Sequence, residues 1–236
     1  MNKKIQYEIL LIILVFIVII NLSFIILQLD SNPKNTYNIT EVGRNVNGTV
    51  YKVIAGNTSS NETVGLILGV HPREHEIHEQ INESIYNITS PEGSKNLTKR
   101  YVIYYIKTVD NLTSHDETRD AGEELANKYV VPNIVKDNPF IVLDVHEIDP
   151  EYEYSDFIFP LSNRSDEINS YMSKLCSDVG LEDYDFTLGT SPEKVTIPIA
   201  NNKINTMLME TNTTGTITQK HETAEKLIES LDSLGA

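Results

Sequence analysis

Short apolar runs alternate along most of the chain with segments whose apolar residues recur every three or four positions. The clearest apolar run, residues 63–70, is followed by four isoleucines at helical spacing between residues 77 and 88. Such runs are typical of buried strands, and such spacing is typical of helices that bury one face. The alternation predicts an α/β fold, a three-layer sandwich around a mixed, mostly parallel sheet. The pattern predicts strands over 49–56, 63–70, 100–109, 139–148 and 203–211, and helices over 74–88, 118–131, 165–180 and 218–234.

The first part of the chain is different because it is almost entirely apolar. The run from Ile9 to Leu27 is interrupted only by Asn21 and Ser23. As a helix it would span about 28 Å, which is close to the thickness of the hydrocarbon core of a bilayer. The run is long for a signal peptide, and no small-x-small cleavage motif follows it. An uncleaved transmembrane signal anchor over residues 9–29 is therefore favoured over a cleaved signal peptide.

Charges around this run predict its orientation. Lys3 and Lys4 precede it, and no cluster of positive charge follows it closely. The positive-inside rule then leaves residues 1–8 in the cytoplasm as a short tail. Residues 30–45 are polar and are interpreted as a linker to an extracellular domain over residues 46–236.

Frequent N-glycosylation sequons agree with an extracellular location. Of the 22 asparagines, 11 lie in Asn-x-Ser/Thr with x other than proline, although Asn21 lies in the predicted membrane span. Composition alone predicts about three or four such sites. We expect glycans in loops and linkers, first at Asn47, Asn57 and Asn61. An Asn- and Thr-rich genome remains the alternative explanation for the excess.

Composition and spacing exclude several functions. The formal net charge of −15 excludes nucleic acid as a partner, since an acidic surface repels phosphates. Cys176 is the only cysteine, so an internal disulfide and a cysteine-based zinc site are both excluded. His75 and His78 are one residue short of the His-Glu-x-x-His pattern, which excludes a zincin-type helix, and we expect both to face solvent.

The segment GVHPREHEIHEQ concentrates ionisable residues where the apolar run 63–70 ends. His71 and Glu74 lie three residues apart at a predicted strand-to-helix junction, where both side chains can turn toward one point. His146 and Glu210 lie near the ends of two other predicted strands. Active sites of α/β sheets lie at the carboxyl ends of strands. Because histidine and carboxylate ligands suit a catalytic zinc ion, the pattern predicts a zinc site at this edge.

These residues resemble the Gly-(Ile/Val)-His-x-Arg-Glu signature of the zinc carboxypeptidase superfamily. That superfamily includes carboxypeptidase A-like peptidases and the succinylglutamate desuccinylase/aspartoacylase branch. The resemblance covers about residues 46–236. It begins at GVHPRE, which contains His71 and Glu74, and continues with His146 as the distant histidine and Glu210 as the glutamate near the C-terminal side.

The resemblance implies a site and a mechanism. One Zn²⁺ would bind to His71, Glu74 and His146, and Glu210 would take a proton from water and deliver it to the leaving amine. Arg73 and Arg119 would stabilise the oxyanion or bind a substrate carboxylate.

Three further residues near this site bear on its function. Asp144 and Glu147 flank the distant histidine and could orient it. Thr118 stands where family members carry an asparagine before the arginine. The chain is also shorter than typical members, so the walls that set substrate specificity would differ.

Each candidate residue also has a simpler structural interpretation. His71 and Glu74 could form a polar cluster at a helix start. His146 could be a buried histidine with an ordinary hydrogen-bond partner. Glu210 could be an exposed residue at a strand end, and the two arginines could form surface ion pairs.

Taken together, the pattern favours a membrane-anchored, extracellular, zinc-dependent hydrolase of amide bonds that acts on peptides as a carboxypeptidase does. An N-acyl amino acid deacylase of the same superfamily is the alternative enzyme. A catalytically degenerate surface binding protein is the alternative outside enzymes. The sequence leaves the scissile bond and the oligomeric state open.

Overall fold

A computed structural model describes residues 13–22, 35–90, 93, 95–152, 154–186 and 191–235. The chain divides into two units, Met1–Pro33 and Lys34–Ala236. In the first unit, residues 13–22 are helical, whereas residues 1–12 and 23–33 lie outside the described part, and with them most of the predicted anchor and tail. None of the helices that the structure describes is both long and apolar enough to cross a membrane.

The second unit is built on one mixed sheet. Its strand order is β1-β2-β4-β3-β5-β8-β6-β7. Pairing is parallel for β3–β4, β3–β5, β5–β8 and β6–β7, and antiparallel for β1–β2, β2–β4 and β6–β8. The predicted mixed sheet is confirmed. The strands are β1 Asn35–Asn45, β2 Gly48–Asn57, β3 Thr63–Leu68, β4 Arg100–Thr108, β5 Ile141–Ile148, β6 Phe157–Pro160, β7 Glu182–Asp183 and β8 Asn205–Asn212.

Helices cover both faces of the sheet. Alternate residues of β3 point to opposite faces, so Leu66 and Leu68 pack with Ile77 of α1 on one face, and Ile67 packs with Leu125 of α2 on the other. Helices α4 and α6 join the first face, and α3 and α5 join the second. The helices are α1 His75–Thr89, α2 His115–Leu125, α3 Val131–Asp137, α4 Asp166–Leu175, α5 Ile197–Ala200 and α6 Ile217–Ser233, with π-helical turns at Ala126–Val130, Cys176–Gly180 and Pro192–Thr196.

Two glycines shape the sheet edge where β3 ends. Gly69 has a φ of +83°, and a Cβ there would lie 2.4 Å from the carbonyl oxygen of Ile106. Gly122 of α2 packs against Val70 so closely that a Cβ would lie 1.9 Å from its carbonyl oxygen. Glycine therefore turns the chain out of β3 and brings α2 against the strand end.

The structure corrects the predicted linker. Residues 35–45 belong to the sheet as β1, which pairs antiparallel with β2 along its length. Its side chains are half-buried or exposed, as expected of an edge strand. Since its only apolar alternation is the short pair Tyr37 and Ile39, and it has no apolar run, the sequence pattern could not distinguish this strand from a linker.

Candidate metal centre and active-site cleft

Three side chains from two neighbouring strand ends converge on one point. His71 follows β3, and a tight turn in which the Glu74 N–H donates to the His71 carbonyl places both residues before α1. His146 lies in β5, next to β3. One ligand atom from each of these three residues lies within 4.8 Å of the other two. The three residues could therefore hold one metal ion.

The orientation of these groups fits a metal ion. The Nδ1 atoms of His71 and His146 lie 3.1 Å apart. Each also lies 2.9 Å from a carboxylate oxygen of Glu74. Two imidazole nitrogens at this distance need a proton between them unless a cation takes their lone pairs. A carboxylate and two imidazoles are ligands that suit zinc.

Buried acids contact the opposite nitrogens of both rings. Nε2 of His71 lies 3.3 Å from Oε1 of Glu123, and Nε2 of His146 lies 3.1 Å from Oδ1 of Asp144. Metal-bound histidines commonly place their second nitrogen against a carboxylate, which fixes the tautomer. The sequence pattern points to Asp144 as a group that orients His146. For Glu123, its spacing of four residues from Arg119 on the predicted helix suggests only a surface ion pair.

The same contacts shift the pKa values of Glu74 and His146. Burial raises the pKa of Glu74, but contacts with His146 and His71 outweigh burial and hold this pKa well below its usual value. Burial lowers the pKa of His146, but Asp144 and then Glu74 raise it well above its ordinary range. Positive charge is therefore drawn to the Glu74 carboxylate, which is where a bound cation would replace it.

Helix α2 brings a second cation to this point. Ser114 caps the start of this helix, since its hydroxyl oxygen accepts from the Glu117 N–H. One turn later, Nη1 of Arg119 lies 3.1 Å from Nδ1 of His71 and donates to Oε1 of Glu74 over 3.4 Å. The guanidinium is thus beside the proposed ligands.

Arg73 and Thr118 lie at the same cleft with different contacts. Arg73 is exposed and donates from Nη2 to the Thr113 carbonyl, 2.9 Å away. The Thr118 hydroxyl donates to the His115 carbonyl over 2.7 Å, within its own helix. Thr118 therefore directs its hydroxyl to the backbone, whereas Arg73 presents its charge at the rim.

Glu210 is separate from the three ligand candidates but adjacent to them. It pairs in register with His146 across β5 and β8. Its Oε2 is buried and has no hydrogen-bond partner in the part of the chain that the structure describes. Burial raises the pKa of Glu210 to about 8, with opposing contributions from the charges of His146 and Glu74. A buried carboxyl with a pKa near neutrality suits a proton acceptor.

The Glu210 carboxyl predicts how the stability of the metal-free chain depends on pH. Its pKa is raised from 4.5 to about 8, so between these values the folded chain keeps a proton that the unfolded chain releases. Between pH 4.5 and about 8, the free energy of unfolding of wild type should fall relative to that of the Glu210→Gln variant, by up to about 1.4 kcal/mol per pH unit. At higher pH the difference between the two proteins should stay level. Denaturant unfolding of both proteins with a chelator measures this difference. A difference that does not change with pH would contradict the burial of this carboxyl.

These groups line a cleft of about 450 Å³. Its ionisable side contains the ligand candidates, Glu210 and both arginines. Apolar residues that pack with one another also line the cleft, so it can take an apolar side chain next to the charged groups. They are Ile148, Tyr152, Phe159, Phe186 and Leu208.

Two neighbouring residues differ from expectation. His78, expected to face solvent, is buried, and its Nε2 lies 2.7 Å from the Val145 carbonyl oxygen. Burial lowers its pKa to about 4, so it is neutral and joins α1 to β5. The Glu147 side chain forms an ion pair with the buried Lys220, and its N–H donates to Oε2 of Glu74 over 3.3 Å. Glu147 therefore supports Glu74 through its backbone.

Solved structures share this fold. A metallo-carboxypeptidase from Burkholderia cenocepacia superposes with a TM-score of 0.60 at 10% identity, over 86% of this chain and 65% of its own. The chain shares the metallo-carboxypeptidase fold. The expected resemblance to the zinc carboxypeptidase superfamily is thus confirmed at the level of the fold. The chain spans less than two thirds of the length of this relative.

Two further solved structures are similar to this chain in fold. A protein assigned as a metallopeptidase from Shewanella baltica OS155 has a TM-score of 0.57 at 10% identity, over 85% of this chain and 87% of its own. The LapA aminopeptidase of Legionella pneumophila has a TM-score of 0.53 at 9% identity, over 85% of this chain and 60% of its own. No family model and no curated protein matches the sequence. At these identities the likeness concerns the fold.

Proposed function

We propose that this chain is a zinc-dependent, carboxypeptidase-like hydrolase of amide bonds that acts on peptides. One observation carries the proposal: the ligand atoms of His71, Glu74 and His146 meet beside Glu210, whose Oε2 is buried and has no hydrogen-bond partner among the described residues. A polar cluster at a helix start, or a buried histidine with an ordinary hydrogen-bond partner, would not explain why this carboxyl lies there. A hydrolase requires such a carboxyl as the proton acceptor. Zinc content and peptide hydrolysis by the purified full-length chain test the proposal.

His71, Glu74 and His146 would hold the zinc ion, with Nδ1 of each histidine facing it. When bound there, zinc lowers the pKa of a water molecule and polarises a carbonyl group. Glu123 and Asp144 lie against Nε2 of His71 and His146, and a negative charge there favours a proton on Nε2, which leaves Nδ1 free to bind. The chain therefore supplies both the ligand set and its correct tautomers.

The remaining residues of the cleft divide the other tasks. Glu210 accepts a proton from water and transfers it to the leaving amine. Arg119 places positive charge where an oxyanion develops, and Arg73 at the rim can bind the carboxylate of a peptide. The apolar wall excludes water and receives an apolar side chain of the substrate.

Substrate assays separate this proposal from its two alternatives. Release of amino acids from peptides supports a peptidase. Hydrolysis of N-acyl amino acids with inert peptides would identify a deacylase. A folded chain that binds no zinc and hydrolyses neither substrate would be a surface binding protein.

The membrane anchor over residues 9–29 and the extracellular location of residues 46–236 are part of the proposal. The apolar run, Lys3 and Lys4, and the excess of sequons support them. Protease added to intact cells should digest the large domain. Complete protection of that domain would contradict this topology.

Glycan occupancy gives an independent prediction for this location. Asn61 is exposed in the loop between β2 and β3. The amides of Asn47 and Asn57 donate hydrogen bonds to Glu124 and Thr98, so we expect Asn61 to be the most fully occupied of the three.

Asn212 is the sequon that we expect to carry no glycan, in contrast to Asn61. It lies two residues after Glu210 at the end of β8, and its neighbour Thr213 lines the cleft, so we expect a glycan here to crowd the cleft entrance. Mass spectrometry of glycopeptides from active protein measures both sites. Heavy occupancy of Asn212 in active protein would contradict the placement of the active site.

A further inference from the structure

One short turn contacts both of the acids that stand behind the histidines. The turn Pro192–Thr196 precedes α5 on the second face of the sheet. The Thr196 hydroxyl donates to Oδ2 of Asp144 over 2.9 Å. Two residues earlier, Nζ of Lys194 lies 2.6 Å from Oε2 of Glu123. The turn therefore contacts the acid of each carboxylate–histidine pair.

The two acids that the turn contacts are buried, so the contacts are important for the stability of their charges. Asp144 and Thr196 are fully buried, and Glu123 is 1% exposed. Surface ion pairs contribute little, but a buried carboxylate that loses its partner is strongly destabilised. Lys194 is itself exposed, yet the acid that it contacts is buried. Both contacts therefore hold the position of a buried carboxylate.

The turn itself is anchored. Val195, between the two contacting residues, is fully buried in the core of the second face, as is Ile199 of α5. The Asn127 amide donates to the Lys194 carbonyl over 2.6 Å, which ties the turn to the segment after α2. A turn held on both sides in this way can present Lys194 and Thr196 at fixed positions.

We infer that Lys194 and Thr196 are positioning residues, through which the Pro192–Thr196 turn sets the orientation of both metal-ligating histidines. Lys194 acts on His71 through Glu123, and Thr196 acts on His146 through Asp144. The inference rests on the proposed metal site and adds to it two residues that touch neither the metal nor the substrate. Because each residue acts on a different ligand of the same metal ion, loss of both should weaken binding more than loss of either.

Zinc affinity of the purified full-length chain tests the inference. Lys194→Met and Thr196→Val remove the charge and the hydroxyl while keeping similar shapes. Each should weaken zinc binding about 10-fold, in the range typical of groups that support metal ligands, and the double variant should bind more weakly than either single variant. Competition with a chromogenic zinc chelator measures the dissociation constants. Thermal unfolding of the metal-free proteins reports whether each variant is folded.

Conservative variants separate positioning from general stability. Lys194→Arg and Thr196→Ser keep the contacting groups and should restore affinity to within a few-fold of wild type, since second-shell effects depend on those groups. Glu193→Gln, an exposed neighbour on the same turn, should bind zinc as wild type does. Folded Met and Val variants with wild-type affinity, or conservative variants as weak as these, would overturn the inference while leaving the proposed function intact. A wild-type chain that binds no zinc would overturn both.

Discussion

Replacing His71 with alanine should abolish stoichiometric zinc binding. His71 contributes one of three ligand atoms, and its Nδ1 also lies within hydrogen-bond distance of Glu74 and His146. A zinc ion held by only two protein ligands lacks the three that catalytic sites use. Because even changes to supporting groups cost about 10- to 100-fold in affinity, loss of a ligand should cost more. Metal analysis of the purified full-length chain gives the stoichiometry.

His75→Ala is the matched control for this variant. His75 lies four residues further along the chain and is exposed on α1. The His75→Ala variant should therefore bind zinc as wild type does. A polar cluster at a helix start predicts a different pattern, in which neither variant changes zinc content and each changes stability by about 1 kcal/mol. Full zinc occupancy in His71→Ala, or no zinc in wild type, would therefore remove the proposed centre.

Replacing Glu210 with glutamine should leave zinc binding intact and lower turnover by a factor on the order of 10²–10⁴. The amide keeps the shape of the carboxyl but cannot accept a proton. Glu210 is not one of the three residues whose ligand atoms converge, so the metal centre should form without its charge. Zinc stoichiometry and initial rates on peptides with apolar side chains measure the two properties separately.

Glu193→Gln is the matched control, since it makes the same chemical change at an exposed position. It should retain both zinc and activity. Undiminished turnover in Glu210→Gln would contradict its role as the proton acceptor. Loss of zinc in the same variant would instead show that Glu210 takes part in forming the metal centre.

Local pattern predicted much of the candidate site. His71 and Glu74 meet because three residues at a strand-to-helix junction form a tight turn, which is a property of neighbouring residues. His146 and Glu210 come together because parallel strands end at one sheet edge, and β5 and β8 are neighbours. The apolar runs that placed those strand ends are visible in the sequence.

Contacts between distant segments could not be predicted in the same way. Glu123 looks like an ordinary polar residue of an amphipathic helix until Gly122 packs that helix against Val70 and brings the carboxylate to His71. His78 looks exposed until α1 lies on β5 and buries it. Such positions depend on packing between elements, and residue spacing within one element carries no record of it.

The sequence by itself determined the alternation of strands and helices, the ends of the strands that carry the ionisable residues, and the residue types that suit zinc. Only the tertiary structure decided which acids stand behind His71 and His146, that Oε2 of Glu210 is buried, and that one turn contacts both acids. The physical reason is that periodicity records which face of an element is buried. The partner of a buried charge is set by the three-dimensional packing of segments far apart in the chain.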